Sequence, residues 1–128
     1  QLLPETKKRL QTVFPPWMEP ANPVDLYPAI ERNGPQNTLK ESLEAVMEDP
    51  GVDAAYLHMF APPVDFPLYD FDKLCEKLKS YAKPVVVWIM GHADTSKKIQ
   101  AELEKRGVPV VDEIGRGVRV LAAMTKRR

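Results

Sequence analysis

The chain has 128 residues, a length typical of one domain that can bury its own hydrophobic core. Its 18 Lys and Arg balance 18 Asp and Glu, and this zero net charge argues against a nucleic-acid-binding surface. No apolar run approaches the about 20 residues of a membrane span, and the single Cys75 cannot form an intrachain disulfide. We therefore expect a reduced, cytoplasmic setting. Because the chain opens with Gln1 and not Met, we expect a single domain over residues 1–128 that is a fragment of a larger protein.

Proline organises the first 50 residues. Pro4 predicts the first turn of a helix over about 4–14, which the prolines at 15 and 16 end. Further prolines disfavour helix in the next segment, so we expect an extended loop with a short strand at 24–26. Asn37 is the candidate N-cap of the following helix.

Strands and helices alternate in the rest of the chain. Six consecutive apolar residues at 85–90, between a proline and a glycine, are typical of a strand covered on both faces. Further strands are predicted at about 52–60 and 108–112, with helices between them and after them. Right-handed crossovers then give a mostly parallel sheet in a three-layer α/β/α fold.

Few residues suggest chemistry. His58 lies inside a strand, where a structural histidine is more common than a catalytic one. His92 follows Gly91 at the carboxyl end of a strand, where ligands bind in such folds. It could act in acid–base catalysis there, or it could simply lie at the start of the next helix. Five carboxylates are expected in turns and caps, since no pairing is visible: Asp25, Asp65, Asp70, Asp72 and Asp94. The sequence contains no P-loop and no Cys/His cluster at metal spacing.

The order of several segments resembles a known family. These segments are residues 21–26 (Ala-Asn-Pro-Val-Asp-Leu), a helix that ends at 47–54, the strand at 83–91, and residues 106–110 and 117–123. Together they resemble the NDP-forming acyl-CoA synthetases, specifically their C-terminal flavodoxin-like CoA-ligase domain. The chain is more distantly similar to the C-terminal domain of the succinyl-CoA synthetase β subunit. The resemblance implies a flavodoxin-like fold of the succinyl-CoA synthetase type.

The resemblance also implies an activity for the parent enzyme. Such enzymes convert an acid, CoA and a nucleoside triphosphate into acyl-CoA, a nucleoside diphosphate and phosphate, through an acyl phosphate and a phosphohistidine. The phosphohistidine belongs to another domain, in a Ser-His-Thr-Gly-like context that this chain lacks, so His92 does not inherit its role. No catalytic residue, metal or cofactor is therefore expected here. CoA, ATP or ADP, and Mg would be bound by the parent enzyme, whose CoA-binding and ATP-grasp domains are the expected partners.

The resemblance places a substrate site at the loop after the strand at 52–60. Phe60, Pro62, Pro63 and Val64, with Asn22, are the candidate acyl-binding residues. Two prolines remove backbone N–H groups that could bind a second carboxylate, so a more apolar acyl group than succinate is expected. The alternative function is a non-catalytic regulatory or assembly module, as when this architecture is fused to a protein acetyltransferase.

The family's first strand and its Asn-x-Gly-Gly loop, which begins the phosphate-facing helix, are expected before Gln1. The chain by itself is therefore expected to be inactive as a ligase. In a flavodoxin-like order, that strand would lie beside residues 52–60. Its absence predicts an open sheet edge, through which two copies would pair antiparallel near residues 54–60.

Overall fold

The computed structural model describes residues 1–63 and 69–126, and the chain divides into two compact units, Gln1–Val52 and Asp53–Arg128. The single domain over residues 1–128 stays a prediction. Within the described residues, no helix is long and apolar enough to cross a membrane.

The first unit consists of three helices, each of which has a proline at its first or second position. They are α1 (Pro4–Gln11), α2 (Tyr27–Asn33) and α3 (Pro35–Glu48). Proline suits the first turn because its missing N–H would have no partner there and its φ angle is already helical. Both α1 and α2 contact α3. The buried apolar residues of this cluster are Leu2, Leu10, Val13, Phe14, Ala29 and Ala45.

Two predictions for this unit are wrong. No strand forms at residues 24–26, and the chain instead enters α2, where the backbone N–H of Tyr27 donates to Asp25 Oδ1 (3.1 Å). Asn37 is not an N-cap, because α3 begins two residues earlier, at Pro35, after Gly34 in a left-handed conformation (φ 79°). In both places a proline lies at the start of a helix: Pro28 is the second residue of α2, and Pro35 is the first residue of α3.

A buried carboxylate fixes the end of α3. Asp49 Oδ2 accepts a hydrogen bond from the N–H of Leu3 (2.9 Å), and Oδ1 accepts one from the N–H of Gly51 (2.7 Å). Asp49 is almost completely buried. The residue therefore joins the start of the chain to the turn that closes α3.

The second unit alternates strands and helices, which confirms the predicted α/β class. Its elements are β1 (Ala55–Ala61), α4 (Phe71–Ser80), β2 (Val85–Gly91), α5 (Ala93–Lys105), β3 (Val110–Val111) and α6 (Ile114–Lys126). The strands form a parallel sheet in the order β1-β2-β3, as in a flavodoxin-like fold. Gly107 follows α5 with a φ of +78°, a conformation that favours glycine just after the end of a helix.

The two faces of this sheet differ in how they are covered. Right-handed crossovers place α4 and α5 on one face, where Leu57 and Met59 are buried. On the other face α6 contacts the sheet, and Gly117 of α6 lies directly against the ring of Tyr56. Tyr56 is near the amino end of β1, so the carboxyl half of this face is less covered.

The prediction that strand 85–90 is covered on both faces is therefore only partly right. Val85, Val86 and Val87 are buried, whereas Trp88 is half-buried and Met90 is exposed. The apolar run predicts burial along its whole length, but the side chain of Met90 belongs to the half of the face that α6 leaves open.

Candidate functional site

The carboxyl ends of β1 and β2 are joined closely at Gly91. The register aligns Phe60 with Met90 and Ala61 with Gly91. Gly91 has a φ of +134°, and a Cβ at this position would stand 2.1 Å from the carbonyl oxygen of Ala61, so only glycine fits. The next N–H, of His92, donates to that same carbonyl (2.9 Å). This hydrogen bond fixes the sheet edge at which ligands bind in α/β folds.

An apolar patch leads up to this edge. On adjacent strands the rings of His58 and Trp88 stack with centroids 4.5 Å apart and planes 24° from parallel. One step further along, Phe60 and Met90 lie side by side in the register and are 57% and 48% exposed. We call these four residues the aromatic patch. Exposed neighbouring side chains of this size are typical of a binding surface.

His58 contributes to this patch as a neutral ring. Partial burial lowers the pKa of His58 below its ordinary value of 6.5. The imidazole is therefore mostly uncharged at pH 7, and it can stack on Trp88 without carrying a positive charge into the patch.

His92 lies at the start of α5. This is the position expected if the residue serves the helix start and not acid–base chemistry. It is the N-cap residue, but its side chain makes no capping hydrogen bond, and its Nδ1 is 3.5 Å from Thr95 Oγ1. Asp94 lies in the first turn of the same helix, where a negative charge interacts favourably with the helix dipole. This arrangement gives His92 a position at the edge of the sheet, next to a helix start.

The other carboxylates occupy turns, caps and ion pairs. Asp70 is the N-cap of α4 and accepts a hydrogen bond from the N–H of Lys73 (3.1 Å). This backbone hydrogen bond, followed by the Lys73 side chain, lowers the pKa of Asp70. Asp72 pairs with Arg106 (2.8 Å), which also pairs with Glu102. Asp65 lies outside the described residues. In the described ranges, no three His, Cys, Asp or Glu side chains come together as metal ligands would.

Three of the predicted acyl-binding residues are neighbours in the sequence, and their role in binding stays a prediction. Phe60, half-buried Pro62 and exposed Pro63 follow one another at the end of β1. Val64 lies outside the described residues, and exposed Asn22 belongs to the first unit. Met90 was not among the residues predicted from sequence. Its position at the end of β2, aligned with Phe60 at the end of β1, would have indicated that it belongs to the same edge.

The second unit thus has an α/β arrangement of flavodoxin-like topology, with exposed apolar side chains at the carboxyl edge of its sheet. The chain is 32% identical over 122 residues to acetate–CoA ligase [ADP-forming] II of Archaeoglobus fulgidus. The match covers 95% of this chain and 18% of the relative, so the chain spans less than a fifth of that enzyme. The similarity supports the resemblance to the NDP-forming acyl-CoA synthetases at the level of the family. No family model matches the chain, and no solved structure gives a significant match.

Proposed function

We propose that this chain provides part of the acyl-binding wall of an NDP-forming acyl-CoA synthetase. The reaction would convert an acid, CoA and a nucleoside triphosphate into acyl-CoA, a nucleoside diphosphate and phosphate, through an acyl phosphate and a phosphohistidine held by another domain. The observation that carries this proposal is the exposed pair Phe60–Met90 at the carboxyl edge of the sheet, in a chain 32% identical to an acetate–CoA ligase.

The side chains at this edge are suited to contacting an acyl group and not to making or breaking covalent bonds. Phe60 and Met90 offer an aromatic ring and a flexible thioether, both of which contact alkyl groups well. Pro62 has no N–H, so its backbone cannot donate to a carboxylate oxygen. An alkyl or aryl acid would therefore be accepted here more readily than a dicarboxylic acid.

The domains around this one would supply the rest of the reaction. CoA, the nucleotide and Mg would bind to CoA-binding and ATP-grasp domains of the complete enzyme. Residues 1–128 by themselves should accordingly produce no acyl-CoA from acid, CoA and ATP. Turnover by the purified chain would contradict this division of roles.

Pro62→Gly in a complete synthetase that contains this sequence tests the acyl wall. Removing the ring deletes three methylene groups, and if about half of their surface contacts the acyl chain the loss is about 1 kcal/mol, or about fivefold in KM. We expect this rise for apolar acids and no rise for a dicarboxylic acid, because the backbone N–H that the substitution restores can donate to its second carboxylate. Pro16→Gly, at an exposed proline of the first unit, is the matched control.

Two different failures can be told apart in this experiment. An unchanged KM across several acids, with activity retained, would show that Pro62 does not line the pocket. No ligase activity with any acid in the wild-type protein would refute the synthetase function.

A further inference from the structure

The aromatic patch consists of two rows of side chains that lie one behind the other on the same face of the sheet. Phe60 and Met90 form the outer row, next to the ends of β1 and β2. His58 and Trp88 form the inner row. Side chains two residues apart on a strand point to the same face and lie about 6.6 Å apart. The patch therefore extends inward from the ligand edge over two rows.

The two rows differ in how firmly their side chains are held. Phe60 and Met90 of the outer row are both exposed. In the inner row the indole of Trp88 is half-buried and stacks on the imidazole of His58, with 4.5 Å between the ring centroids. A ring that a neighbour already holds in place loses little freedom when a ligand covers it. The indole of Trp88 is thus the most preorganised apolar surface of the patch.

Helix α6 closes the inner end of these rows. One row further in, Tyr56 lies so close to Gly117 of α6 that a Cβ on the glycine would stand 2.6 Å from Cζ of the ring. Carbon atoms need about 3.5–4.0 Å between them, so an alkyl chain has no room in this contact. An acyl group that enters from the ligand edge can therefore cover the outer row and then the inner row, and it ends there.

We propose that Trp88 is a specificity-determining residue that selects acids by the length of their apolar chain. This inference rests on the proposed function. The reacting carboxylate lies beyond the strand ends, where ligands bind in α/β folds, so the chain of the acid runs back over the patch. If the first carbon atoms contact the outer row, the inner row, about 6.6 Å further in, is reached after about five more carbon–carbon bonds. Acetate then contacts only the outer row, whereas octanoate also covers the indole of Trp88.

Trp88→Leu in a complete synthetase that contains this sequence tests this role. Leucine stays apolar but removes the flat indole surface, so we expect the ratio of kcat/KM for octanoate to kcat/KM for acetate to fall about tenfold. A purely structural role would lower both values by the same factor and leave the ratio unchanged. Trp17→Leu is the matched control, because it makes the same change at a 77% exposed tryptophan of the first unit and should not alter the ratio.

Two further measurements keep the test decisive if the leucine variant does not fold. Trp88→Phe keeps a ring that can stack on His58 but offers less surface, so the ratio should fall about threefold. In the wild-type enzyme, kcat/KM should rise between butanoate and octanoate, because the chain reaches the indole only in this range.

The outcomes separate this inference from the function on which it rests. An active wild-type enzyme without that rise would overturn the selection by length and leave the synthetase function standing. An unchanged ratio in a folded Trp88 variant would also overturn it. A wild-type enzyme that converts no acid at all would refute the synthetase function, and this inference with it.

Discussion

Gly117→Ala is expected to destabilise the second unit, although alanine is the better helix former. A Cβ on Gly117 of α6 would stand 2.6 Å from both Cζ and the hydroxyl oxygen of Tyr56. Carbon atoms in contact prefer about 3.5–4.0 Å, so the tyrosine ring or the helix must move by about 1 Å. The ring belongs to β1, which pairs with β2 along its whole length, and it cannot move freely.

The magnitude follows from two opposing effects. Overpacking of this kind costs about 1–3 kcal/mol. The gain in helix propensity from glycine to alanine is up to about 1 kcal/mol. We expect a net loss of about 1 kcal/mol in the free energy of unfolding. Gly115→Ala, two residues earlier in α6, is the matched control, because its Cβ would meet the end of the flexible Glu113 side chain and should leave stability unchanged or raised.

Tryptophan fluorescence can report the unfolding of the second unit separately from that of the first. The chain has two tryptophans, Trp17 in the first unit and Trp88 in the second. In a Trp17→Phe background, urea unfolding followed at Trp88 should show the midpoint of Gly117→Ala fall by about 1 M, for a denaturant dependence of about 1 kcal/mol per molar. A midpoint at or above that of Gly115→Ala would refute the close contact between α6 and Tyr56.

Two further predictions concern buried or stacked polar groups. Asp49→Ala should lower the free energy of unfolding of the first unit by about 2–5 kcal/mol in urea unfolding, because it leaves the N–H groups of Leu3 and Gly51 without their acceptor. Asp49→Asn keeps one acceptor oxygen and should lose about half as much. Equal losses in the two variants would contradict this role of Asp49. Because burial lowers the pKa of His58, the unfolded chain binds its proton more readily, so stability should be full above about pH 6.5 and fall as the pH drops below it. His58→Gln should remove this part of the pH dependence, and NMR titration of the His58 ring, assigned with His92→Gln, should show a pKa below 6.5.

The alternation of strands and helices in the second unit could be predicted from sequence because each element has a clear local signal. The valine run predicts β2, and Gly107 marks the end of α5. The strand near 52–60 runs from Ala55 to Ala61, and the strand near 108–112 is only Val110–Val111. Strand ends depend on pairing with neighbours, which a single segment does not encode.

Two features of the candidate site depended on tertiary structure. The exposure of Met90 follows from where α6 crosses the sheet, and that position is set by the contact of Gly117 with Tyr56, 61 residues apart in the chain. The stack of His58 on Trp88 follows from the register of β1 against β2. The role of Asp25 in a turn was predictable, because Asp commonly bonds to the backbone two residues on.

The contact between Gly117 and Tyr56 also limits how the patch can form. A larger residue at 117 would push α6 away from the amino half of the sheet, and the buried hydroxyl of Tyr56, which has no hydrogen-bond partner among the described residues, would gain access to water. With glycine there, α6 seals the amino half of this face and leaves the carboxyl half, with Phe60 and Met90, open toward the ligand edge. The exposed patch is thus a consequence of close packing elsewhere on the same face. Substitutions that loosen α6 should therefore alter the environment of Trp88 even though they lie outside the patch.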